Sequence, residues 1–63
     1  MGRISRLKVE IVRRGLVQAD VAQEAGISES RLSRIINGRV RPFDHEIRNL
    51  ATVLDMQKDN LPV

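Results

Sequence analysis

Apolar residues recur along this chain three and four positions apart, the spacing of a helix face, and no stretch alternates with the two-residue period of a strand. Leu7 and Ile11, with Val12 beside them, predict the inward face of a first helix over residues 5–14, capped by the hydroxyl of Ser5 and stopped at Gly15. Leu16 and Val17 bridge to a second helix over 18–25, where Val21, Ala22 and Ala25 share one face. Leu32, Ile35 and Ile36 fall the same way on a third, over 28–37. Ile47, Leu50, Ala51 and Leu54 predict the buried stripe of a fourth over 44–54, with Asp44 as its cap and Asp44 and Glu46 at the positive end of its dipole. One more turn is expected over 58–61, stopped by Pro62. No repeat, low-complexity tract or linker interrupts this series. The reading is all-α: a compact bundle of five short helices in a single domain over residues 1–63.

The junction between the second and third helices is the most specific part of the pattern. Gly26 can take a left-handed backbone without a Cβ penalty, so it can end one helix and turn the chain sharply into the next. Ser28 then offers its hydroxyl to the first N–H groups of the third helix, and Ile27 before it is placed to pack back on the pair. Ala22, small and inward, lets the two helices cross closely at the steep angle of a helix-turn-helix. Asn37 and Gly38 both tolerate positive φ and form a strong stop, and residues 39–43 make a basic loop closed by Pro42.

Gln18, Val21, Ala22, Gly26, Ile27, Ser28, Leu32, Ile35, Asn37 and Gly38 stand in one fixed frame, and in that frame the chain resembles the helix-turn-helix of the Cro/lambda-repressor-like family. The flanking helices extend the likeness over nearly the whole chain. The resemblance implies a lambda repressor-like DNA-binding domain of five short helices, whose second and third form the DNA-reading unit with the third in the major groove. Two places depart from the family's habit. Asp55 stands where glycine is frequent. Many members also pair an Arg on helix 1 with a Glu near the end of helix 3, where this chain has Ile11 and Ile36, so an apolar contact is expected instead of an ion pair.

Composition narrows the function classes. At 63 residues the chain is near the lower limit for folding without disulfides or metals, and with no cysteine and one histidine neither a disulfide framework nor a thiolate zinc site is available. No apolar run approaches the roughly 18 residues of a membrane span, and residues 1–8 are too charged for a signal peptide, so a cytoplasmic protein is expected. The net charge of +3 says less than its distribution: segment 30–43 holds four arginines and no acid, so it carries +4 and the remainder sums to −1. Arg3, Arg6, Lys8, Arg13 and Arg14 make a second basic set on and before the first helix. Such a surface attracts duplex DNA before reading it.

Because Leu32, Ile35 and Ile36 take the inner face of the third helix, the residues expected to reach base edges are Ser28, Glu29, Ser30, Arg31, Ser33 and Arg34. Arg34 suits a guanine, since it can bond O6 and N7 together. Glu29 can accept only from a base amino group and repels phosphates, which points to sequence reading rather than general adhesion. Backbone phosphates are expected at Asn37, Arg39, Arg41 and Arg6, with Arg13 or Arg14 as further candidates. At Gln18 the second helix begins with exposed N–H groups, and the resemblance implies that a glutamine there clamps the DNA backbone.

Plainer roles stand beside these. Arg6, Arg13, Arg14 and Arg48 can be merely solvated, Glu29 can serve only the helix dipole, and His45 between two acids is expected to be solvated. Phe43, the single aromatic, is expected to plug the core. No nucleophile or metal set accompanies Asp44 and Glu46, so no enzyme, cofactor or small-molecule ligand is expected. The expected function is sequence-specific double-stranded DNA binding by a transcriptional regulator, a repressor reading an operator. The alternative is an antitoxin or protein-docking helix-turn-helix whose main partner is another protein. One recognition helix reads only a few base pairs, so a weak homodimer that tightens on half-sites about 34 Å apart is expected. Met56, Leu61 and Val63 are its candidate contact, although Met56 and Leu61 also fit a core.

Overall fold

The four long stripes become four α-helices: α1 (Arg6–Arg13), α2 (Gln18–Ala25), α3 (Glu29–Ile36) and α4 (Asp44–Val53). A computed structural model describes residues 5–62; Arg3 and Val63, named above, lie outside the described residues. The expected fifth helix is a single 3-10 turn, Lys58–Asn60. It goes no further because Leu61 takes an extended backbone that carries its side chain into the core.

Local chemistry sets each boundary. Ser5 Oγ accepts from the Lys8 N–H at 3.3 Å and Ser28 Oγ from the Arg31 N–H at 3.0 Å, so α1 and α3 begin where their serines satisfy an unpaired donor. Asp44 does not cap α4. It is the first helical residue, and Phe43 holds the extended cap position, where its N–H donates to the Glu46 carboxylate at 2.8 Å. The acid one turn in thus reaches back in place of a capping side chain.

All four helices end in one way. After α2, the Gly26 N–H donates to the Gln23 carbonyl at 3.2 Å and the Ile27 N–H to the Ala22 carbonyl at 3.0 Å, a pairing that requires the left-handed backbone Gly26 adopts, with φ of +74°. The same two bonds follow α1, α3 and α4 through Gly15, Gly38 and Asp55. Asp55 has φ of +55°, so the residue that departs from glycine still performs the glycine's turn. Asn37, by contrast, keeps φ of −85° and leaves positive φ to Gly38 alone.

One core joins these elements: Leu7 and Ile11 from α1, Val21, Ala22 and Ala25 from α2, Leu32, Ile35 and Ile36 from α3, with Leu50, Leu54 and Leu61. Ile11 and Ile36 are both buried in this cluster. The helix α2 packs on α3 and α4, and the Asn49 amide of α4 donates to the Ala25 carbonyl at 3.2 Å, satisfying a group at the end of α2. The packed helices span 31 × 22 × 22 Å.

Several inward expectations fail for geometric reasons. Val12 is 64 % exposed, because it lies about 100° around the helix from Ile11 and an eight-residue α1 buries only Leu7 and Ile11. Ile47 is half-buried but does pack against the core. Phe43 is 60 % exposed rather than a plug, since its extended backbone at the head of α4 directs it outward against Arg31 and His45. Leu61, by contrast, is a core residue and Met56 packs half-buried against that core, so of the two roles these residues fit both take the core one. Among the described residues no helix is long and apolar enough to cross a membrane.

Candidate nucleic-acid interface

The inner face of α3 is occupied by Leu32, Ile35 and Ile36, and this fixes which side chains remain outside. Ser28, Glu29, Ser30 and Arg34 are exposed and Ser33 is half-buried. The Ser28 hydroxyl is engaged at the cap, where it accepts from the Arg31 N–H and satisfies a free donor of the first turn of α3. These residues therefore form one outward strip, brought together as the spacing predicts.

Arg31 is the exception. Its guanidinium turns from the strip toward α4, donating from Nε to Glu46 Oε2 at 2.6 Å and from Nη2 to Glu46 Oε1 at 2.8 Å. Its other face lies over the Phe43 ring, 4.8 Å from the centroid, and that ring stacks on His45 at 5.8 Å. Glu46 is almost wholly buried, with 4 % of its side chain exposed against 25 % for Arg31. The hydrogen bonds from Arg31 pull the Glu46 carboxyl down from 4.5 to about 2; burial opposes this, and the Phe43 N–H, the Arg31 charge and the nearby His45 add to it. The same bonds raise the Arg31 pKa. Arg31 is thus held against α4 by a short bidentate pair and does not stand free on the strip as the other expected residues do.

Glu46 was legible in the sequence only as a dipole partner. It occupies the position four residues before Leu50 and eight before Leu54, at the head of the buried stripe of α4. A charged residue on an inward register was the signal that a partner across the helix interface should exist.

The other basic groups divide in two. Arg13 and Arg14 both pair with Glu10, at 3.2 and 3.3 Å, so the α1 charges are partly compensated. Among the described residues Arg34, Arg39 and Arg41 enter no ion pair, and all three are exposed on α3 and the loop after it. Asn37 is exposed beside them, with its amide 3.5 Å from Ser33 Oγ. Gln18 opens α2 half-buried, preceded by Val17, whose side chain supplies no cap, so early N–H groups of that helix are left for an external acceptor. Arg6 is exposed at the start of α1.

An outward polar strip on the second of two crossed helices, with exposed arginines continuing into the next loop, can meet base edges and phosphates together. Comparison with known proteins agrees: residues 4–62 match the family described as helix-turn-helix domain. No curated protein and no solved structure matches the chain. With its turn at Gly26, its helix α3 capped by Ser28 and its match across almost every residue, the chain belongs to the helix-turn-helix domain family, in the Cro/lambda-repressor-like form, and is a DNA-binding domain.

Proposed function

We propose that this protein is a sequence-specific transcriptional regulator of the repressor type, which reads an operator in double-stranded DNA by placing α3 in the major groove. The observation that carries this reading is the mixed character of the outward strip: Glu29 and Ser30 stand beside Arg34 on a surface otherwise rich in exposed arginine. A surface built only for adhesion gains nothing from an acid that repels phosphates, whereas Glu29 can accept from a cytosine or adenine amino group. Arg34, one turn later, addresses a guanine, and Ser28, Ser30 and Ser33 serve neighbouring base edges or phosphates. Gln18, Asn37, Arg39, Arg41 and Arg6 hold the backbone on either side and fix the register of α3. Two copies read two half-sites, as a weak dimer that tightens on DNA, because one helix of this length spans only a few base pairs.

A protein-docking role draws support from a different surface than the C-terminal turn. Val9, Val12 and Val17 are 38 %, 64 % and 59 % exposed, and they are the apolar side chains open to a partner on α1 and the approach to α2. The operator reading accounts for more of the chain, because it uses both the charge distribution and the strip on α3.

Binding-site selection from random duplex DNA tests the proposal. The expected result is an enriched motif with a guanine whose replacement weakens wild-type binding but not the binding of Arg34→Ala. Equal recovery of all sequences would reduce the protein to a nonspecific DNA-coating domain.

A further inference from the structure

The Arg31–Glu46 pair places a compensated charge within the basic segment that follows the turn at Gly26. Segment 30–43 carries four arginines, yet one of them is joined to a carboxylate from the first turn of α4 by two bonds of 2.6 and 2.8 Å. We infer that Glu46 is a specificity-determining residue, which withholds the Arg31 charge from the DNA backbone and so lowers nonspecific attraction while leaving the reading strip intact. This inference rests on the DNA-reading role proposed above.

Three observations show why a phosphate cannot readily take Arg31 away. Glu46 has 4 % of its side chain exposed, so removing Arg31 would leave an ionised carboxylate buried without its main partner. The carboxylate is held in place from its own helix end by the Phe43 N–H at 2.8 Å, so it cannot swing out to water at the same time. The guanidinium also lies over the Phe43 ring, 4.8 Å from its centroid, a contact that transfer to a phosphate would give up. The lowered Glu46 pKa keeps the carboxylate ionised across the range in which DNA binding is measured.

A helix-turn-helix must discriminate its site against a large excess of other duplex, and every phosphate contact raises both affinities together. Withholding one arginine reduces the common part. Arg34, Arg39 and Arg41, with no such partner among the described residues, retain their charge for DNA.

The test compares wild type, Glu46→Gln and the double variant Glu46→Gln/Arg31→Gln on a random-sequence duplex and on the selected site, over a range of salt. Glu46→Gln is expected to bind the random duplex more tightly and to steepen its salt dependence by about one phosphate. Between 50 and 200 mM salt it then loses about three- to fourfold more affinity than wild type, while its preference for the selected site narrows. Adding Arg31→Gln is expected to return the salt slope to the wild-type value. A Glu46→Gln slope equal to that of wild type overturns the inference.

Wild-type protein supplies an independent measurement that needs no variant to fold. During titration with random duplex, the Arg31 Nε–H should keep its protection from exchange while the side-chain signals of Arg34, Arg39 and Arg41 shift. Loss of that protection on DNA would show Arg31 transferring to phosphate and would refute the assignment. Failure of wild type to bind any duplex would instead strike the DNA-reading role, and this inference with it.

Discussion

Replacing Gly26 isolates the backbone strain of the turn from every other contribution. An ideal Cβ built there meets nothing within 4 Å, so an added methyl finds open space and the cost comes from φ of +74° alone. Holding an L-residue in the left-handed region costs about 1–2 kcal/mol, and loss of glycine's freedom in the unfolded chain returns about 0.4–1 kcal/mol. Gly26→Ala should therefore destabilise by about 1 kcal/mol, which lowers the melting temperature of a domain this small by about 4–8 °C. Gly26→Val, branched at Cβ, should reach the upper part of the roughly 1–3 kcal/mol range for strained residues. Total stability at this length is on the order of 3–9 kcal/mol, so the valine variant should lose a sizeable share of it. Urea unfolding followed by circular dichroism checks the order: wild type, then alanine, then valine, with an unchanged denaturant slope. Asp55→Gly supplies the converse, because it relieves φ of +55° and should cost nothing or gain up to about 1 kcal/mol. A valine variant melting with wild type, or an alanine variant as damaged as valine, would refute the reasoning: the first removes the strain and the second points to a clash.

Arg34→Ala should cost about 1–3 kcal/mol on the selected site and relax preference at one base pair, and competition with single-base variants checks this; an equal loss on every sequence would make Arg34 a phosphate contact. Leu54→Ala removes a side chain that is 0 % exposed and should cost about 2–5 kcal/mol, seen as a large fall in the urea midpoint. Glu46 has its pKa lowered from 4.5 to about 2 on folding, so the stability from its ionised form is complete above about pH 4.5 and is lost as pH falls toward 2. Acid titration of stability should accordingly be shallower in Glu46→Gln than in wild type across that window, and identical curves would show that the pair does not couple folding to protons. Sedimentation at rising concentration should give a weak dimer that tightens on a palindromic site, and a strict monomer binding one half-site non-cooperatively would exclude it.

Local rules settled most of the helical frame. Ser5, Gly15, Gly26, Ser28 and Gly38 each act within a few residues along the chain, through a cap or a left-handed turn, so their roles were readable without knowing what lies across the fold. The outward strip of α3 was readable as well, because Leu32, Ile35 and Ile36 leave only one other side. What depended on neighbours distant in sequence was not. Arg31 and Glu46 are fifteen residues apart and meet only when the fold brings the head of α4 beside α3, and that meeting ties an arginine of α3 to a carboxylate. Phe43 and Val12 are apolar enough to be buried, yet the core is built on Leu7, Ile11 and Leu50, and both lie largely exposed outside it. Leu61 went the other way: a terminal leucine with no periodic partner became core because the turn over Lys58–Asn60 packs on α4 and brings it inward. Short-range hydrogen bonding and helical period act through the chain itself, so the sequence determined them. Burial and ion pairing depend on which surfaces the folded helices offer one another, and only the tertiary structure decided those.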